Sequence, residues 1–297
     1  MKCDLCPRKC LVDRKKGEKG ICGQTENLKV ARAALHFWEE PCISGDAGSG
    51  AVFFSGCPLH CVFCQNENIA NGTVGKEISL ERLVDIFLEL QEKGANNINL
   101  VTPGHFVPQI VKALDQARRE GLTLPVVYNT SSYETVDTIK MLEGYVDIYL
   151  PDFKYMSPVL SKKYSHAPDY AQVAKAAIAE MVRQTGKAVF VNGDEDNLIL
   201  RGTIVRHLTL PGCMADSMQI LKYLHDTYGD KIYISIMNQF TPLSNLEKYP
   251  ELNRRITDEE YETLVDYAID IGIENGFIQE GDTAEESFIP AFDCEGV

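Results

Sequence analysis

"AVFFSGCPLHCVFCQN", residues 51 to 66, carries two patterns whose junction decides how this chain folds. The first five residues are an apolar run of strand length. Directly after them Cys57, Cys61 and Cys64 follow in a C-x3-C-x2-C spacing. Parallel sheets place reactive groups on loops at the carboxyl ends of their strands, and the three thiols occupy that place.

Runs of the same kind recur along the chain, at 97–102, 125–129, 146–152, 187–191 or 203–210, and 231–237. Helical patterns separate most of them. Leu80, Leu83, Val84, Phe87, Leu88 and Leu90 follow an amphipathic spacing that Gly94 stops, and Thr257 with Glu260 forms a capping box ahead of Leu264, Val265, Ala268 and Ile269. About six such βα units predict an α/β sheet of parallel strands buried on both faces, closed as a full or partial barrel or wound as an open sheet. No linker or low-complexity segment divides it.

The bulk composition narrows what such a fold can do. With 297 residues, 44% of them hydrophobic, the chain can bury a sizeable core. A formal charge of −14, from 29 basic and 43 acidic side chains, repels polyphosphate and argues against a nucleic-acid partner. The sequence starts without a signal-like apolar core and contains no apolar run of membrane-spanning length, so no membrane partner and a cytoplasmic location are expected. In a reducing compartment ten cysteines read as metal ligands or redox groups rather than disulfides. They fall into two groups, Cys3, Cys6, Cys10 and Cys22, then Cys57, Cys61 and Cys64. Cys42, Cys213 and Cys294 stand alone and read as inert buried thiols.

Three thiolates are one short of a closed tetrahedral zinc site, whereas a [4Fe–4S] cluster on three protein ligands keeps one iron open to an outside ligand. A zinc site completed by His60 or a distant residue is the alternative. The motif, with Phe63 before its last cysteine, resembles that of the radical S-adenosylmethionine enzymes. From about residue 50 onward the chain is similar to their activating-enzyme branch, typified by the activator of pyruvate formate-lyase. That resemblance implies a partial (β/α)6 TIM-like barrel over residues 50–297, with residues 1–49 as a small Cys-rich, metal-binding N-terminal extension. It also implies a [4Fe–4S] cluster, S-adenosylmethionine as cofactor, and reductive cleavage to a 5′-deoxyadenosyl radical. An electron donor such as flavodoxin or ferredoxin follows from the same likeness, as does hydrogen abstraction from a protein or another substrate. A non-catalytic electron carrier or metal sensor is the competing reading, and it gives no role to the polar groups at the strand ends.

Those groups are the candidate cofactor contacts. Phe63 matches the family's aromatic beside the adenine, or is a core residue. Gly104, in "VTPGH", matches one position of a Gly-Gly-Glu turn, with Pro103 and His105 departing from the other two. Asp152 and Lys154, in "PDFKY", resemble an Asp-x-Lys motif suited to an ammonium and a carboxylate, or form a surface ion pair. Asn129 corresponds to a polar contact or a turn residue. Arg206, on a strand before Pro-Gly, would fork a methionine carboxylate, or pair with a partner in the core. Asn238 and Gln239 fall where relatives contact ribose or adenine. In the leader, Cys3, Cys6, Cys10 and Cys22 make a complete four-thiol set for zinc or a second iron–sulfur cluster. The basic tract from Arg8 to Lys19 reads as a solvated loop that eases their charge.

Overall fold

Residues 2–195, 197–243, 246–279 and 290–297 are described by the computed structural model. Its strands are β1 (Lys29–His36), β2 (Ser49–Phe54), β3 (Lys76–Glu77), β4 (Ile98–Val101), β5 (Val126–Thr130), β6 (Ile148–Pro151), β7 (Val189–Phe190), β8 (Ile199–Leu208), β9 (Tyr233–Met237) and β10 (Gly276–Ile278). They join in the order β10-β9-β8-β6-β5-β4-β2-β1-β3, with β7 beside β8. From β2 through β4, β5, β6, β8 and β9 to β10 every pairing is parallel. The sheet advances one neighbour at a time and ends in two free edges among the described residues, which is the topology of an unclosed barrel.

Each crossover is helical because the sequence between strands carries a helical period. Leu83, Val84, Phe87 and Leu90 of the helix Leu80–Glu92 are buried, and the Ser79 side chain accepts from the Arg82 amide at its N-terminus. Thr257 and Glu260 form the expected capping box on the helix Asp258–Asp270. With helices outside, β2, β4, β5 and β6 are buried along their whole length. No helix among the described residues is long and apolar enough to cross a membrane.

Three features differ from the sequence reading. Of the two candidates at 187–191 and 203–210, β8 takes the parallel position while β7 is a two-residue antiparallel partner on its edge. A short seventh parallel strand, β10, follows the last helix. The third is β1, inside the 1–49 segment, which pairs antiparallel with β2 from His36↔Ser49 to Val30↔Phe54. Its alanines favour helix. The strand is imposed from both sides, by β2 and by the C-terminal segment, where the Ala33 amide donates to the Glu295 carbonyl and the Cys294 amide to that of Ala31.

Candidate functional site

At the carboxyl end of β2 the chain turns through Gly56, whose φ of +91° suits glycine. A side chain there would also run into the Cys22 carbonyl and Gln24. Beyond it Cys57, Cys61 and Cys64 line one cavity of about 260 Å³. The Leu59 amide reaches Cys57 Sγ at 3.5 Å and the Ser165 hydroxyl donates to Cys61 Sγ at 3.1 Å. Burial, and then the neighbouring thiols, push Cys57 up to about 11 and Cys64 up to about 12, with Lys154 opposing. Thiols so placed become thiolates when a cationic centre compensates them. Among the described residues no three His, Cys, Asp or Glu side chains are grouped to hold one metal ion. Three thiols suit a [4Fe–4S] cluster that keeps one iron open, whereas a structural zinc site takes four ligands. His60, the alternative fourth ligand, directs Nε2 to the Ile21 carbonyl at 2.8 Å.

The same cavity is also lined by an ionic network. Arg206, from β8, donates from Nε to Asp152 at 2.9 Å, from Nη1 to Glu39 at 2.9 Å and from Nη2 to Asn129 at 2.7 Å. Lys154 Nζ donates to the other Asp152 oxygen at 2.7 Å. Burial alone would raise the Asp152 carboxyl, but Lys154 and Arg206 outweigh it and hold the group below its ordinary range. Burial likewise works against the Lys154 ammonium, and Asp152 with Cys61 more than restores it. The Arg206 fork thus already serves three groups of the protein.

Of the residues singled out in the sequence, Phe63, Asn129, Asp152, Lys154, Arg206 and Gln239 line this cavity with the three cysteines. Phe63 packs edge-on against Tyr155, Tyr164 and Phe240. The Gln239 carbonyl accepts from Gln65 at 3.0 Å, tying the end of the cysteine loop to the end of β9. Gly104 and Asn238 are not among the lining residues. Gly104 instead abuts Glu134, whose carboxylate occupies the space that a side chain would need. Glu134 accepts from Thr130 at 2.8 Å and Tyr128 at 3.2 Å, and burial lifts it to about 7. The Asn238 amide donates to the Gln279 side chain at 2.9 Å.

Sequence reasoning missed His36, Trp38 and Glu39, which follow from β1 into the cavity wall. Glu39 also accepts from Asn99 at 3.0 Å and Asn129 at 3.2 Å. An arginine in a buried strand signals that a carboxylate waits for it. With 43 acidic side chains in the chain, no local pattern says which.

The leader is not a solvated loop throughout. Lys15, Lys16 and Lys19 are exposed, but Arg14 is 7% exposed. Arg14 donates to the His105 carbonyl at 2.5 Å and to the Thr25 carbonyl at 2.9 Å. Arg8 binds carbonyls of the barrel loops. Among the leader thiols Cys6 lies within electrostatic reach of Cys22 and Cys3, and Cys22 of Cys3 and Cys10. Burial first, then these neighbours and Glu134, push Cys6 up to about 12.

Residues 51–197 match the sequence model of the radical SAM superfamily. An uncharacterised protein of Methanocaldococcus jannaschii is 27% identical over 273 residues, covering 90% of this chain and 74% of its own. Among solved structures, Streptococcus suis SuiB bound to S-adenosylmethionine aligns with a TM-score of 0.52 and 13% identity, over 80% of this chain and 51% of that one. Methylornithine synthase PylB aligns at 0.51 with 15% identity, over 75% and 60%. HydG, a maturase of the [FeFe]-hydrogenase, aligns at 0.51 with 15% identity, over 76% and 50%. This chain spans about half the length of SuiB and HydG, and at such identities the likeness is one of fold.

Proposed function

We propose, from the match of residues 51–197 to the radical SAM superfamily, that the chain is an activating-enzyme-like oxidoreductase with a [4Fe–4S] cluster on Cys57, Cys61 and Cys64. When bound, cluster and S-adenosylmethionine together supply a 5′-deoxyadenosyl radical that abstracts hydrogen. The observation that carries this reading is one cavity lined by three thiols together with Asp152, Lys154 and Arg206. Lys154 and Asp152 suit the carboxylate and ammonium of the cofactor, and Phe63 offers an apolar edge for the adenine. The hydrogen abstracted belongs to a protein segment or another substrate that reaches this cavity. An electron carrier such as flavodoxin or ferredoxin delivers the reducing electron in this scheme. Cys3, Cys6, Cys10 and Cys22 hold a second metal, zinc or iron–sulfur, which elemental analysis of a Cys3→Ser, Cys6→Ser variant identifies.

The test is anaerobic reconstitution with iron and sulfide, reduction with dithionite, and measurement of 5′-deoxyadenosine. Wild type should produce it and lose it on replacing Cys57, Cys61 or Cys64 by Ala. Product formation that survives those replacements, or none from a cluster-loaded wild type, refutes the reading. The second outcome is what a plain electron carrier would give.

A further inference from the structure

The leader is built against the three-cysteine loop, and Arg8 makes most of the contact. It sits in a tight turn closed by the Lys9 amide donating to the Cys6 carbonyl at 3.0 Å. From there its Nε donates to the Pro58 carbonyl at 2.8 Å, and Nη2 to Leu59 at 3.4 Å and Ser165 at 2.9 Å. Nη1 donates to the His166 carbonyl at 2.6 Å, and the guanidinium lies 5.1 Å from the centre of the Tyr133 ring. Pro58 and Leu59 are the residues between Cys57 and His60, and Ser165 is the residue whose hydroxyl reaches Cys61. One guanidinium therefore ties together both strands of chain that flank Cys61. Two further contacts come from the leader's other end, where the Ile21 carbonyl meets His60 and the Cys22 carbonyl abuts Gly56. The Arg8 donors go to carbonyls rather than carboxylates, on the segment that carries Cys57 and on the one whose Ser165 contacts Cys61.

We propose that the leader is the brace of the three-cysteine loop and that Arg8 is its positioning residue, fixing the loop's conformation by its fork and biasing the bound cluster by its charge. This rests on the functional reading above. It is tested on the full chain, reconstituted anaerobically, as wild type, Arg8→Met and Arg8→Lys. The measurements are iron release to an excess of ferrous chelator, the cluster midpoint potential followed by electron paramagnetic resonance, and a thermal melt of each sample. Charge-assisted hydrogen bonds of this kind make iron release from Arg8→Met about tenfold faster. Its midpoint should move to more negative potential, because a positive charge beside the cluster favours the reduced state. Arg8→Lys keeps the charge but not the fork, so it should hold the potential and still release iron faster than wild type. A purely structural arginine would lower the melt and leave the potential of the folded fraction unmoved. Wild-type release and potential in Arg8→Met overturn the brace, and if that variant does not fold, a wild-type release rate in Arg8→Lys does so. A wild-type chain that takes up no cluster overturns the functional reading and the brace with it. A loaded wild type beside an indifferent Arg8→Met overturns the brace alone.

Discussion

Replacing Arg206 by Met would show how much of the barrel interior depends on one guanidinium. Its three hydrogen bonds run to Asp152, Glu39 and Asn129 at 2.9, 2.9 and 2.7 Å, and the Glu39 and Asp152 side chains are only 8% and 18% exposed. Methionine fills similar space but leaves Glu39 buried without its cation, and Asp152 with Lys154 alone. Removing one partner of a buried ion pair costs about 3–5 kcal/mol, because the charge left behind has lost its water and its partner. At about 2–4 °C per kcal/mol for a chain of this size class, the melting temperature should fall by about 10 °C. Adding Glu39→Gln to Arg206→Met should recover part of that loss, since the orphaned charge is gone. Differential scanning fluorimetry on wild type, both single variants and the double variant closes the cycle. A melt of Arg206→Met within about 2 °C of wild type, where a 3 kcal/mol loss is required, would refute the reasoning. S-adenosylmethionine titration of the cluster-loaded variant then reports separately on whether Arg206 also serves the cofactor.

Gly104→Ala should destabilise the fold by about 1–3 kcal/mol, because its methyl group meets the Glu134 carboxylate, and Glu134→Ala should relieve much of this when the two are combined in urea melts. Acid should destabilise the protein below about pH 6, for a reason that fixes the sign. Burial holds His105 at about 3 and His36 and His207 at about 4, so their contribution is full above the unfolded value of about 6.5 and is lost as the pH falls toward 4. Glu134, lifted to about 7 by burial, opposes them by binding a proton in the folded state between pH 7 and about 4.5. The three histidines outnumber Glu134, so stability should fall with acid in that window, and Glu134→Gln should steepen the fall, as read from denaturant melts across pH.

The amino-acid sequence alone determined the features whose cause is local. The position of Cys57, Cys61 and Cys64 at a strand's carboxyl end, the buried stripe of Leu80–Glu92 and the Thr257–Glu260 cap each depend on residues within a few places of one another. Their geometry follows from one turn of helix or one strand. Asp152, Lys154 and Arg206 were legible for a related reason, since a charged group at the end of a buried strand needs a partner wherever the strand lies. Only the tertiary structure decided what those partners are. Arg206 meets Glu39 across 167 positions of sequence, and Arg8 meets Ser165 across 157. Neither partner carries a local mark, because a carboxylate or a backbone carbonyl looks the same in the sequence whether it faces water or a guanidinium. The strand β1 is the same case in backbone form. Its alanines prefer helix, and it is extended because β2 and the chain end supply hydrogen bonds that no nearby residue could announce.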